Sequence, residues 1–294
     1  MIIRTTLLVI LTALALVFIA GWVHASRSLD RKQLPKPIQA AIGFITDFLD
    51  TLGVGSFATT TAAYKLFDVV PDEKLVGTMI IGHSIPVVVQ AFIFLVVVRV
   101  DPIVLASLIL VSVIGSWIGA GVATRLPRRA IQIAIGTGLL AAAFFMLMGQ
   151  LGAYPVGGTA LTLTPVKLVI ALVVNLLLGA MLMLGIGSYA PSLILFSVLG
   201  MDPRAAFPIM MGSGAMMAMA GGLRFMKAGR FDSRAALGLT LGGIPGVLVA
   251  GLLVKSLPLN ALRWMVIAVV TCAAAMMVKS AMNKPVLATV SRPS

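Results

Sequence analysis

The chain has 294 residues, of which 60% are hydrophobic and 11% are charged. With a mean hydropathy of +1.11, this composition excludes an ordinary soluble domain, for which about 45–50% apolar and 25% charged residues are typical. The net charge of +13 does not indicate a nucleic-acid partner, because Lys and Arg lie almost entirely in short connections between apolar segments. That placement is typical of positive-inside bias and of contact with anionic membrane lipid.

The first apolar segment, residues 5–23, permits two interpretations. Arg4, the apolar run and the sequence Val23-His24-Ala25 before Ser26 resemble a cleaved secretory signal. The run is about 19 residues, longer than a usual signal core, which favours an uncleaved transmembrane helix. We therefore expect an N-terminal helix and a basic loop over residues 1–37.

Further segments are long enough to cross a bilayer, which takes about 20 apolar residues each. Uninterrupted segments lie near 74–98, 101–124, 129–149, 204–223, 235–254 and 259–278. Two others, about 38–67 and 166–199, are interrupted by glycines. The sequence thus predicts an all-α polytopic membrane protein.

The two glycine breaks are copies of one sequence. Leu52-Gly53-Val54-Gly55-Ser56-Phe57 returns 132 residues later as Leu184-Gly185-Ile186-Gly187-Ser188-Tyr189. Turns around Asp101 and Asp232, and Leu-Pro pairs at 126–127 and 257–258, match at a spacing of 131. These matches predict a first repeat over 38–150, a linker over 151–165, a second repeat over 166–282 and a short tail over 283–294.

The distribution of Lys and Arg predicts how the interrupted segments lie in the membrane. If both are re-entrant hairpins and the N-terminus is outside, sixteen Lys and Arg face the cytoplasm and six face outward. If both cross fully, the numbers are thirteen and nine. The positive-inside rule favours hairpins. Each repeat then holds a hairpin and three crossings, and because three is odd, the repeats must be inverted, with the C-terminus cytoplasmic.

The two breaks are expected to face each other near the membrane midplane and to hold one small anion between them. Backbone N–H groups at the start of the second half-helix have no intrahelical partners, and the positive end of the helix dipole favours anions. Ser56 and Ser188 could cap the new helix or donate to a bound oxyanion. The alternative is that Gly-x-Gly only permits close helix packing. The predicted substrate-binding residues are Gly53, Gly55, Ser56, Thr59, Gly185, Gly187, Ser188 and Tyr189.

Three ionisable residues in apolar segments are candidates for proton coupling. Asp47 and Asp50 lie three residues apart, hence on one helix face, and His83 titrates near neutral pH. Such groups are costly in a bilayer and often mark a proton pathway, although a structural role in packing is the alternative. One cysteine, Cys272, and two histidines predict no metal site, and no cofactor is expected.

These residues resemble the sulfite exporter TauE/SafE family (TSUP). The matching stretches are Gly43–Leu66 with Leu75–Ser84 and Leu178–Leu199 with Ala205–Gly214, together with the turns above, and the resemblance covers about 38–282. It implies transport of sulfite, sulfoacetate or related sulfonates across the bacterial inner membrane. The chain departs from the glycine-richest family motifs at Val54, Ser56, Ile186 and Ser188, and it lacks the pore cysteines of the thiosulfate-handling branch.

The sequence thus predicts a secondary transporter, and not an enzyme, that exports a small sulfur-containing or organic anion with proton coupling. Its expected partners are the anion and membrane lipid, and the oligomeric state is left open. Two alternatives remain at this point: an intramembrane phosphatase-like enzyme, since that class can also use inverted hairpins, and an anion channel.

Overall fold

The computed structural model describes residues 2–27, 34–52, 54–97, 100–155 and 157–253, with five single residues of a helical segment beyond them. These residues form ten helices and no strand. The helices are α1 (Ile2–Arg27), α2 (Pro37–Thr51), α3 (Ser56–Leu66), α4 (Asp72–Val97), α5 (Pro102–Ala123), α6 (Arg128–Gln150), α7 (Pro165–Leu182), α8 (Tyr189–Val198), α9 (Pro203–Lys227) and α10 (Ser233–Leu253).

Seven of the described helices are long and apolar enough to cross a membrane, namely α1, α4, α5, α6, α7, α9 and α10. The prediction of an all-α polytopic membrane protein is therefore confirmed. The crossing predicted over 259–278 lies largely outside the described residues, as does Cys272.

Both interrupted segments consist of two helices separated by a short break. α2 ends at Thr51 and α3 begins at Ser56, while α7 ends at Leu182 and α8 begins at Tyr189. Gly55 and Gly185 adopt φ values of 92° and 90°, a region that side chains disfavour. Glycine is required there because the chain leaves one helix and enters the next within a few residues.

The chain reverses direction at the first break. Before α2, the Leu34 carbonyl accepts a hydrogen bond of 2.6 Å from the Arg234 side chain. Near the end of α3, the Tyr64 hydroxyl donates to the Ala235 carbonyl at 3.3 Å. Since α10 is about 31 Å long, these neighbouring contacts place both ends of the α2–α3 segment at the start of α10. α2 and α3 therefore form a hairpin.

The second break has the same geometry. Lys167, in the first turn of α7, donates from Nζ to the carbonyl of Leu199 just after α8, at 2.8 Å. The Gly158 N–H donates to the Met201 carbonyl at 3.0 Å. Both ends of the α7–α8 segment therefore lie together, and this segment is also a hairpin.

Each hairpin packs against the fourth helix of the other half of the chain, when its two hairpin helices are counted as the first and second: α2 against α10, and α7 against α5. The contacts are equivalent by the spacing of the repeat. A Cβ on Gly246 would meet the Phe44 carbonyl, and a Cβ on Gly115 would meet the carbonyl of Leu176. Gly246 follows Gly115 by 131 residues and Leu176 follows Phe44 by 132, so the same interface occurs twice.

Contacts between helices also fix their directions. α4 runs parallel to α10, since Thr78 bonds Asp232 and Gly82 bonds Thr240. α4 runs antiparallel to α9, since Phe94 near the end of α4 stacks on Phe207 near the start of α9.

The remaining directions follow in the same way. α2 is parallel to α10, because Gly238 faces Gln39 and Gly246 faces Phe44. α5 is parallel to α7, because Gly115 faces Leu176 and Gly119 faces Ala180. Hence α2, α4 and α10 begin at one end of the bundle, and α5, α7 and α9 begin at the other.

We call the end at which α2, α4 and α10 begin the basic end. The described Lys and Arg side chains there are Lys36, Lys65, Lys74, Arg125, Arg128, Arg129, Arg224, Lys227, Arg230 and Arg234. Those described at the opposite end are Lys167 and Arg204. α1 ends at the basic end, because Ser26 and Ser233 are hydrogen-bonded at 2.7 Å.

We predict that Gly115→Ala and Gly246→Ala both lower the thermal unfolding midpoint of the detergent-solubilised protein. In each variant the new methyl group meets a backbone carbonyl of the partner helix, and overpacking of this kind costs about 1–3 kcal/mol. Gly251→Ala is the matched control, because the nearest atom to its Cβ, Ile93 Cδ1, is 3.9 Å away. A loss confined to one of the two variants would contradict equivalent interfaces.

Candidate functional site

A cavity of about 480 Å³ lies where the two breaks meet. Leu52 and residues 54–58 line one side, and residues 186–191 line another. α6 and α9 supply further wall, through Gly138–Gln150 and Phe207–Ala218 positions that are mostly small or apolar. The repeated sequence motif therefore faces one shared cavity rather than two separate surfaces.

The cavity wall contains most of the residues predicted for binding and coupling. Those in the wall are Gly55, Ser56, Gly187, Ser188, Tyr189, Asp50 and His83. Thr59, Gly185 and Asp47 do not line it, and Gly53 lies outside the described residues. The Thr59 hydroxyl instead donates to the carbonyls of Gly55 and Ser56, at 3.0 and 2.9 Å.

At the first break, a carboxylate of the chain itself caps the new helix. The backbone N–H of Ser56, the first residue of α3, donates to Asp50 Oδ1 at 2.7 Å. The Ser56 hydroxyl and the Gln90 side chain also interact with this carboxylate. Ser56 itself is not the N-cap residue, which is Gly55. The expectation that Ser56 caps α3 is thus wrong, because Asp50 already satisfies the exposed amide.

The second break lacks this carboxylate. The residue equivalent to Asp50 is Leu182, and Ser188 occupies the N-cap position of α8 without a capping hydrogen bond from its side chain. Tyr189 follows it in the cavity wall and contacts the edge of Phe207. The two breaks therefore differ both in the N-cap residue of the second helix, Gly55 against Ser188, and in charge.

Behind the cavity, a buried chain of polar groups joins α2, α4 and α3. His83 Nδ1 lies 2.9 Å from both carboxylate oxygens of Asp47, and His83 Nε2 lies 2.9 Å from the Thr60 hydroxyl. Relative exposure is 0% for Asp47, 1% for His83 and 0% for Thr60. Because the Asp47 carboxylate accepts from Nδ1, Nε2 accepts from Thr60 when the ring is neutral and donates to it when the ring is protonated.

α10 packs against this row of buried polar groups. A Cβ on Gly243 would overlap the Asp47 carboxylate and would also meet Pro86 of α4. In the other half the equivalent pair is Ser112 and Gly179, again in contact. In the first interface the glycine lies on α10, opposite Asp47, whereas in the second it lies on the hairpin helix α7, opposite Ser112 of α5. Only the first interface therefore has room for an Asp side chain on the hairpin.

Sequence reasoning missed three residues of this region: Thr60, Gln90 and Gly243. Gln90 is fully buried and donates from Nε2 to the Thr51 hydroxyl at 2.9 Å, while its Oε1 has no partner among the described residues. A glutamine within an apolar segment was the available signal for it. Gly243 carried none, since its partner comes from the other half of the chain.

We predict strong coupling between Asp47 and His83 in stability. Asp47→Asn and His83→Gln should each destabilise the protein by up to about 3–5 kcal/mol, because each leaves a buried polar partner unsatisfied. The double variant should cost less than the sum of the two, by about 0.5–3 kcal/mol. Unfolding in detergent measures this, with exposed Asp68→Asn as control. Additive losses would reject the pairing.

Comparison with known proteins identifies the family. The family model described as Sulfite exporter TauE/SafE matches residues 1–146, about half of the chain, from α1 through most of α6. No curated protein and no solved structure matches the chain. The match includes α1, which the resemblance found in the sequence did not cover. Since this family consists of membrane transporters, the interpretation as a phosphatase-like enzyme falls away. On this match, the chain belongs to the sulfite exporter TauE/SafE family of multi-pass membrane transporters.

Proposed function

We propose that this protein is a proton-coupled secondary transporter that exports a small sulfur-containing or organic anion, such as sulfite or an organosulfonate. The observation that carries the proposal is the cavity shared by both breaks. Its walls bring together the starts of α3 and α8, and helix N-termini favour negative charge. In a medium of low dielectric, backbone amides at a break must find a partner, and an oxyanion can supply one.

The two halves are, on this proposal, inverted repeats. Equivalent helices run in opposite directions in the four pairs that are described: α2 and α7, α3 and α8, α4 and α9, and α5 and α10. The hairpins meet from opposite ends of the bundle, as expected of inverted-repeat transporters with discontinuous helices. On this proposal the two repeats have the boundaries predicted from the sequence, 38–150 and 166–282.

Orientation in the bacterial inner membrane follows from charge. The positive-inside rule assigns the basic end to the cytoplasm. α1 ends there, so the N-terminus lies outside. The described wall of the cavity extends to Gln150 and Tyr154 at the opposite end and includes no Lys or Arg of the basic end. The cavity is therefore approached from the outer face in this conformation.

The basic end is closed by a cluster around Asp72. This carboxylate, only 3% exposed, accepts from Lys65 Nζ at 2.7 Å, from Gln132 Nε2 at 2.7 Å and from Arg128 at 3.3 Å. The cluster ties the end of α3 to the starts of α4 and α6. Opening toward the cytoplasm requires these contacts to separate, which is the kind of two-state element that alternating access needs.

The anion is held between the breaks by Gly55, Ser56, Gly187, Ser188 and Tyr189. Asp50 and His83 in the wall, with Asp47 behind His83, carry the coupled proton. A carrier of this kind gives saturable flux with respect to its anion, whereas a channel does not.

We predict that the purified protein is stabilised thermally by one or more of sulfite, sulfate, sulfoacetate, taurine and simple carboxylates. Ser188→Ala should weaken binding of the stabilising anion by about 10–100-fold, since hydrogen bonds to charged groups contribute about 1.5–3 kcal/mol. Ser107→Ala is the control, because its hydroxyl bonds the Val104 carbonyl away from the cavity. Unchanged affinity in Ser56→Ala, Ser188→Ala and the double variant would remove the assigned site.

Orientation is tested by labelling single thiols in a Cys272→Ser background. We predict that a thiol at Ala142, in the cavity wall, reacts with a membrane-impermeant maleimide added outside. A thiol at exposed Phe67, in the turn after α3, should react only from the cytoplasmic side. Labelling of both positions from the same face alone would contradict the proposed orientation.

A further inference from the structure

An acidic side chain of the protein itself, that of Asp50, already occupies the start of α3. Asp50 Oδ1 accepts from the Ser56 N–H at 2.7 Å, the position that a bound oxyanion would take at this break. The carboxylate lines the cavity although the residue is only 8% exposed. At the other break, Leu182 leaves no such group.

We propose that the Asp50 carboxylate is a tethered competitor of the transported anion, so that the anion binds only when Asp50 is protonated. The proposal rests on the function proposed above and adds the sign of the coupling. One proton, carried on Asp50, moves in the same direction as each anion.

Charge in the cavity carries the argument. A volume of about 480 Å³ keeps a bound anion within several ångströms of Asp50. Two negative charges about 6 Å apart at an effective dielectric constant of about 20 weaken binding on the order of a hundredfold. Protonation removes this repulsion and also weakens the hold of Asp50 on the Ser56 amide, because a neutral carboxyl is the poorer acceptor.

Other titratable groups near Asp50 do not supply the missing positive charge. Asp47 on the same helix faces His83 of α4 at 2.9 Å, so the cationic group nearest to Asp50 is already paired with another carboxylate. Tyr154 and Tyr189 are the remaining titratable residues of the described cavity wall, and a phenol carries no positive charge in either of its protonation states. α10 faces Asp47 with Gly243 and adds no charge there. Asp50 is therefore the negative group left to protonate when an anion enters.

This coupling has a consequence for the direction of transport. A monoanion that travels with one proton crosses without net charge, so its flux does not respond to membrane potential. An inward proton gradient drives such a pair inward. Export by this protein then follows the outward concentration gradient of the anion itself.

The test uses methanesulfonate, whose single negative charge does not change between about pH 5 and pH 8. Binding to the purified full-length protein should take up one proton per anion, and the Kd should rise about tenfold per pH unit wherever free Asp50 is ionised. Asp50→Asn keeps an acceptor for the Ser56 amide, and its Kd should be low and independent of pH. The control Asp68→Asn, at an exposed turn, should keep the slope of the native protein.

The results separate failure of the competitor role of Asp50 from failure of the proposed function. Methanesulfonate binding without proton uptake by the native protein overturns the competitor role and leaves the proposed function intact. A pH slope that persists in Asp50→Asn assigns the proton to another group and also overturns it. If Asp50→Asn does not fold, proton uptake by the native protein decides alone. Absence of binding of methanesulfonate and of the whole anion panel, at every pH, rejects the proposed function itself.

Discussion

Backbone amides that are exposed inside a membrane must be satisfied, and this constraint governs the architecture of the protein. Each interrupted segment leaves such groups where the second half-helix begins, at a depth where every unsatisfied group costs several kcal/mol. The fold meets the constraint by turning both breaks toward one cavity and away from lipid. In the function proposed above, the same exposed amides that make the breaks costly give the cavity its preference for negative charge.

The two halves meet this constraint differently. Both form a hairpin, but the break glycine with positive φ is Gly55 in the first and Gly185 in the second, which are not equivalent positions of the repeat. The side chains differ as well: Asp47 and Asp50 stand where the second half has Gly179 and Leu182. One break therefore carries its own carboxylate and the other depends on an external partner. A symmetrical site would bind an anion at both ends, whereas this one gains a titratable group that can sense whether an anion is present.

The sequence predicted those features that depend on local chain chemistry. Glycine at the breaks, the repeat spacing and the distribution of basic connections can all be found in the order of residues along the chain, so the hairpins and the membrane class could be inferred from them. The cap on α3 could not be inferred, because it depends on how the break folds back so that the Ser56 N–H meets the carboxylate of Asp50, six residues earlier in the chain. The pairing of Asp47 with His83 could not be inferred either, since it depends on how α4 and α10 pack against α2. Gly115 and Gly246 were recognisable as a repeated pair, but their partners on the opposite half were not.

Exchange of packing between the halves links the site to conformational change. Each hairpin packs against the fourth helix of the opposite half. If one half moved as a unit against the other, the α2–α10 and α5–α7 interfaces would both have to slide. The close Gly246–Phe44 and Gly115–Leu176 contacts resist sliding, because small residues let the backbones interlock. Each hairpin must then move together with the helix of the opposite half that it packs against: α2 moves with α10, and α7 moves with α5. The two moving bodies are therefore not the two repeats, and the cavity lies on the boundary between them. A proton on Asp50 acts on one body and an anion at the start of α8 acts on the other, which is the arrangement needed for both to influence the same movement.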